Sequence, residues 1–131
     1  MNKLIFLFLL LGKIAFAAEP ILATPIYHIP NLFKLRCYVH NVSVADNATV
    51  ELSSYDGNGV LLSQQQSQLA PNQGAYLPAI DNNTANVGND GDGVYCKFKL
   101  LNGTRASFVR AAGQVYHPAG TTYKILAAKG K

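Results

Sequence analysis

Between Leu35 and His40 apolar and polar positions alternate. Leu35, Cys37 and Val39 fall on one face of an extended chain, and Arg36, Tyr38 and His40 on the other. The same period recurs sixty residues on, where Val94, Cys96, Phe98 and Leu100 share a face and Tyr95, Lys97 and Lys99 share its opposite. Each pattern predicts a half-buried β-strand with a cysteine on its apolar side. Turn chemistry divides the rest of the chain. Asp56-Gly57-Asn58-Gly59 lies between Val50 to Tyr55 and Val60 to Leu62, and Asn102-Gly103 lies between Tyr95 to Leu101 and Arg105 to Val115. Both predict hairpins, because Gly and Asn accept the positive φ of a tight turn. Ala70-Pro71-Asn72-Gln73-Gly74 predicts a further turn ahead of Tyr76 and Leu77, Asp81 to Gly93 a long polar loop, and Gln64-Gln65-Gln66 a polar strand end or loop. Beyond the first twenty residues no window combines a 3.6-residue period with capping residues, so the expected class is all-β.

The N-terminus follows a different pattern. A short basic start ending at Lys3 precedes eight unbroken apolar residues, Leu4 to Leu11, and Ala15-Phe16-Ala17 supplies the small-x-small site that signal peptidase reads. The run stops at Gly12 and Lys13, well short of the roughly 20 residues that span hydrocarbon. These features predict a secretory signal peptide over residues 1–17, cleaved after Ala17, with no transmembrane segment once it is removed.

Composition sharpens this picture. The chain has 131 residues, of which 14% are charged, and a formal net charge of +4. That is too few charges for a disordered polyelectrolyte and a length suited to one domain. Lys3 and Lys13 belong to the expected signal; without them nine basic residues face seven acidic ones, a net charge of +2. Such a near-neutral domain lacks the field of a general nucleic-acid binder. Two cysteines in an exported chain predict one disulfide, since neither a Cys-x-x-Cys spacing nor a histidine pair points to redox or metal chemistry. A bridge closing a loop of this size stabilises the fold by about 4 kcal/mol through chain entropy. Because each cysteine lies on the core face of its strand, the bridge is expected to join two facing sheets.

The cysteine separation resembles the bridge of immunoglobulin-like sandwiches, and Asp92-Gly93-Val94-Tyr95-Cys96 resembles the approach to their second cysteine. Tyr95 is adjacent to its cysteine instead of two residues ahead of it, and the chain has no tryptophan. Taken together, Cys37 to Val42, Leu69-Ala70-Pro71, Tyr95-Cys96-Lys97-Phe98 and Val109-Arg110-Ala111-Ala112 also resemble small exported bacterial β-sandwich proteins of unassigned function. The resemblance implies a fold and a compartment but no activity.

Candidate chemistry is sparse. His28, His40 and His117 do not occur at the spacings that place two ligands on one face, no Gly-x-Ser-x-Gly elbow is present, and no cofactor is expected. Asp81, Asp90 and Asp92 crowd with asparagines into one glycine-rich loop and form a weak calcium candidate, although the spacing departs from the EF-hand order. Asn41, Asn47, Asn82 and Asn102 each begin an Asn-x-Ser/Thr sequon. The strongest candidate binding residues are the cationic and aromatic groups on the two wet strand faces: Arg36, Tyr38 and His40, and Tyr95, Lys97 and Lys99. Strands on facing sheets would put these two sets on opposite outer surfaces, and the Tyr95, Lys97, Lys99 face is the one expected to meet an anionic envelope component or a protein partner.

The sequence thus predicts a single antiparallel β-sandwich, immunoglobulin-like or jelly-roll-like, with one inter-sheet disulfide. Residues 18–24 are expected to form an N-terminal extension, 25–126 the sandwich domain and 127–131 a C-terminal tail. The expected function is a non-enzymatic binding or envelope-associated module, periplasmic or secreted. Two alternatives are carried with it. A fimbrial or adhesin-type subunit would donate an alternating N-terminal strand, which Pro20, Pro25 and Pro30 interrupt. A small hydrolase or metal-dependent enzyme would need the histidines or loop acids to converge.

Overall fold

The computed structural model describes residues 19–81 and 93–130. Among the described residues ten strands run in the order β1 (Ile21–Ala23), β2 (Lys34–Asn41), β3 (Ala48–Asp56), β4 (Leu61–Leu69), β5 (Gly74–Tyr76), β6 (Ile80–Asp81), β7 (Val94–Leu101), β8 (Val109–Tyr116), β9 (Thr122–Ala127) and β10 (Lys129–Gly130). A 3-10 turn, Ala106–Phe108, precedes β8. All pairings between these strands are antiparallel, and they form two sheets. The first has the order β10-β1-β7-β3-β4; the second has the order β5-β2-β8-β9, with β6 beside β5 on the same edge of β2. The fold is the all-β sandwich that the alternation predicts.

The two cysteine-bearing strands behave as their pattern requires. Burial alternates strictly along β2 and along β7, with Leu35, Cys37 and Val39 facing Val94, Cys96, Phe98 and Leu100 across the interior. Cys37 of the second sheet and Cys96 of the first are joined in a disulfide with a Cα separation of 5.6 Å. More of the core comes from the same faces, including Val50 and Leu52 of β3, Val109 and Val115 of β8, and Leu22 of β1. Gly113 lies opposite Cys37 in the β2–β8 ladder, and the space where its side chain would stand is bounded by Leu35 and the Cys96 sulfur. That gap lets the bridge and Leu35 close over the strand without a large residue between them.

Four expectations are revised. Asp56 to Gly59 does form a hairpin, with the Asp56 carboxylate accepting from the backbone N–H groups of Asn58 and Val60 and Gly59 at φ +84°. The Asn102-Gly103 turn does not. Both residues take the expected left-handed conformation, at φ 53° and 75°, but β7 and β8 lie in different sheets and the turn arches between them. The physical reason is pairing elsewhere: β8 matches β2 over eight residues and β7 matches β3 over eight, leaving neither free for the other. Secondly, Gln64-Gln65-Gln66 is the middle of the nine-residue strand β4 and not a strand end or loop. Thirdly, the sheet extends past residues 25–126. In the segment expected to be an extension, β1 fits between Pro20 and Pro25 and pairs with both β7 and β10. Fourthly, the loop from Asp81 begins with a paired residue, since Asp81 faces Lys34 in the β2–β6 ladder. Asp90, Asp92 and Asn82 lie outside the described residues, as does the expected signal peptide.

Candidate binding face

Because β2 is flanked by β5 and β8, its outward side chains gain neighbours that the sequence does not place beside them. Tyr38 is opposite Tyr76 on one side and Ala112 on the other; Arg36 is opposite Gln114; His40 is opposite Gly74 and Arg110; Lys34 is opposite Tyr116. Residues opposite one another in a ladder project to the same face. The second sheet therefore presents Arg36, Tyr38, His40, Tyr76, Arg110, Gln114 and Tyr116 together on its outer surface.

Arg36 is the organising group. Its guanidinium lies 4.9 Å from the centroid of the Tyr76 ring and 5.1 Å from that of Tyr116, and it donates to Oε1 of Gln114 at 2.7 Å. Gln114 is itself oriented by donating through Nε2 to the Thr122 hydroxyl at 2.8 Å. A planar cation held between two aromatic faces keeps its orientation at little entropic cost. No carboxylate pairs with Arg36, His40 or Arg110 among the described residues. Arg36, Tyr38, His40, Tyr76 and Gln114, with Gly74, Ala75 and Val39, line a groove of about 470 Å³ on this surface. Tyr76, among the residues lining it, is 61% exposed. The arrangement can stack a ring or a sugar face and donate hydrogen bonds to an anionic group.

The opposite outer surface, on the first sheet, carries Tyr95, Lys97 and Lys99 in the order expected, but there the neighbouring residues occupy them. Lys99 is 3.9 Å from Glu19 and opposite Glu51 in the β3–β7 ladder. Lys97 lies over the Tyr55 ring at 5.7 Å, and Tyr95 stacks on the same ring at 5.3 Å. The two sets of candidate residues are thus separated by the thickness of the sandwich.

The histidines do not meet. His40 stands near one end of the second sheet and His117 follows its other end, about 20 Å away at the rise of an extended strand. His117 packs edge-on against Phe33 and accepts a hydrogen bond from the Ala119 backbone; His28 is in the exposed segment after β1. Among the described residues no three His, Cys, Asp or Glu side chains gather as a metal site. Of the sequons, Asn41 is a structural residue. It is wholly buried, its Nδ2 donates to the carbonyls of Asp46 and Leu69 at 2.8 and 2.9 Å, and its Oδ1 accepts from the Ser43 N–H. The nitrogen that a glycan would occupy is fully used.

Tyr76, Arg110, Gln114 and Tyr116 were not legible as site residues from the sequence. Nothing local distinguishes them; only the pairing of β5 and β8 with β2 brings them to Arg36. By fold the chain is a small all-β sandwich protein with one disulfide between its sheets, and among the described residues no helix is long and apolar enough to cross a membrane. Comparison with protein families, with curated proteins and with solved structures finds no match.

Proposed function

We propose that this protein is an exported, non-enzymatic binding module that holds an acidic saccharide of the cell envelope in the groove on its second sheet. The observation that carries the reading is Arg36, fixed between Tyr76 and Tyr116 on the outer face that also carries His40 and Arg110, with no acidic side chain paired to it among the described residues. The aromatic rings supply a stacking surface for a sugar and the guanidinium a forked donor for its carboxylate or phosphate. Export is supported by the basic start, apolar run and small-x-small site at the N-terminus, and by a disulfide of the kind that persists in oxidising compartments. The placement of β1 inside its own sheet supports a self-contained module over a strand-donating fimbrial subunit.

The test is calorimetric titration of the disulfide-bonded protein with oligogalacturonate and with a neutral oligosaccharide of the same length. Binding of the acidic probe is expected to weaken with salt, and Arg36→Gln is expected to reduce it by about 10–100-fold, the equivalent of one hydrogen-bonded charge. Lys97→Gln with Lys99→Gln on the far face is expected to leave it unchanged. Equal affinity for the neutral probe, or retention of binding in Arg36→Gln, would overturn the assignment.

A further inference from the structure

Among the described residues β4 is the outer strand of the first sheet and pairs only with β3. Along its nine residues every second N–H and C=O points away from the sheet, which makes an open template for another strand. Natural edges are blunted by brevity, charge, proline or a bulge. The other edges here follow that rule: β10 and β6 have two residues each, β5 has three, and β9 carries Lys124. β4 is long and contains neither a charged residue nor a proline, and its one irregularity lies at the start, opposite Ser54 and Tyr55.

The sequence of this edge is also self-complementary. Ser63-Gln64-Gln65-Gln66-Ser67 reads identically in both directions, and Leu61 and Leu69 are equidistant from Gln65. In an antiparallel pairing of two copies about a twofold axis at Gln65, Gln64 meets Gln66 and Ser63 meets Ser67, while Leu62, at the bulge, meets Gln68 outside the palindrome. Every polar pair in that register can exchange hydrogen bonds, and no charge opposes another. One amide row is already aligned with the sheet, since Gln64 Nε2 donates to the Ser53 hydroxyl at 3.1 Å.

We infer that β4 is a homotypic docking edge: two copies of this chain pair their β4 strands antiparallel about Gln65 and merge their first sheets into one ten-stranded sheet. The occupant is a second copy because the matching pattern is present in the chain itself, and an isologous twofold contact requires only that one patch complement itself. An edge-only contact of nine residues buries less than the roughly 800 Å² per partner of a standard interface, so the dimer is a weak, concentration-driven one.

Sedimentation equilibrium of the disulfide-bonded protein is expected to show the average mass rising from monomer towards dimer as concentration is raised to about 1 mM, a range set by that small interface. Gln65→Lys places two ammonium groups opposite each other on an exposed strand. It should weaken association at least about tenfold at low salt with an unchanged melting temperature. The register is checked separately with a short bis-maleimide cross-linker, which adds to one cysteine thiol of each copy. Gln65→Cys should link copies efficiently, whereas Gln68→Cys, whose two copies would lie about 20 Å apart, should not. A monomer at every concentration, or equal cross-linking at both positions, would overturn the inference.

Discussion

Replacing Gly113 by alanine tests whether the space beside the disulfide is a requirement of the sandwich. A Cβ built on Gly113 would stand 3.0 Å from Cδ1 of Leu35 and 3.4 Å from the Cys96 sulfur, with Cβ of Leu126 at 3.8 Å. The sulfur contact is ordinary; the Leu35 contact is not. Leu35 is completely buried, so its methyl must move into neighbours that are themselves packed. Overpacking of this kind costs about 1–3 kcal/mol. Against it, alanine restricts the unfolded chain and recovers about 0.4–1 kcal/mol. The expected net change is therefore a destabilisation of about 1–2 kcal/mol, seen as a lower urea midpoint at constant slope. The control is Gly113→Ala combined with Leu35→Val, in which the offending methyl is withdrawn. There the additional cost of the alanine should fall below about 0.5 kcal/mol, a non-additive pair of contacting residues. If Gly113→Ala alone is as stable as the parent, the glycine is not there for space and the account of the bridge is wrong.

Asn41→Ala should cost about 1–3 kcal/mol in chemical denaturation, because it leaves the buried carbonyl of Leu69 without its donor; in a glycosylating host, peptide mapping should find no glycan on the parent's Asn41. Ser54 has the opposite expectation: its hydroxyl is buried and has no hydrogen-bond partner, so Ser54→Ala should be neutral or stabilising by about 1 kcal/mol, and a clear loss in the same assay would reveal an interaction not accounted for. Burial, and secondarily Tyr123, holds the Tyr27 hydroxyl above its ordinary value of 10.0. A raised folded-state value means that its contribution is fully present below pH 10.0 and is lost as pH rises through the folded value, so urea midpoints should fall in that alkaline range and Tyr27→Phe should fall less steeply.

Much of the fold was written locally. The two-residue period around Cys37 and Cys96 fixes which side chains face inward, because consecutive side chains of a strand must point to opposite faces; the structure places Leu35, Cys37, Val39, Val94, Cys96, Phe98 and Leu100 in the core accordingly. The positive-φ residues Gly59, Asn72, Asn102 and Gly103 likewise fall at turns for a backbone reason that needs no tertiary context. What those turns connect was not local. Asn102-Gly103 has hairpin chemistry but bridges two sheets, since the destination of β8 is decided by its ladder with β2 and not by the turn. The binding face has the same origin. Arg36, Tyr38 and His40 were visible as a cationic and aromatic side of one strand, whereas the ring pair that holds Arg36 comes from Tyr76, forty residues later, and from Tyr116, eighty residues later. Strand alternation is a property of the backbone and can be read from a few consecutive residues; strand neighbourhood depends on long-range pairing, and only the folded sheet decides which side chains share a surface.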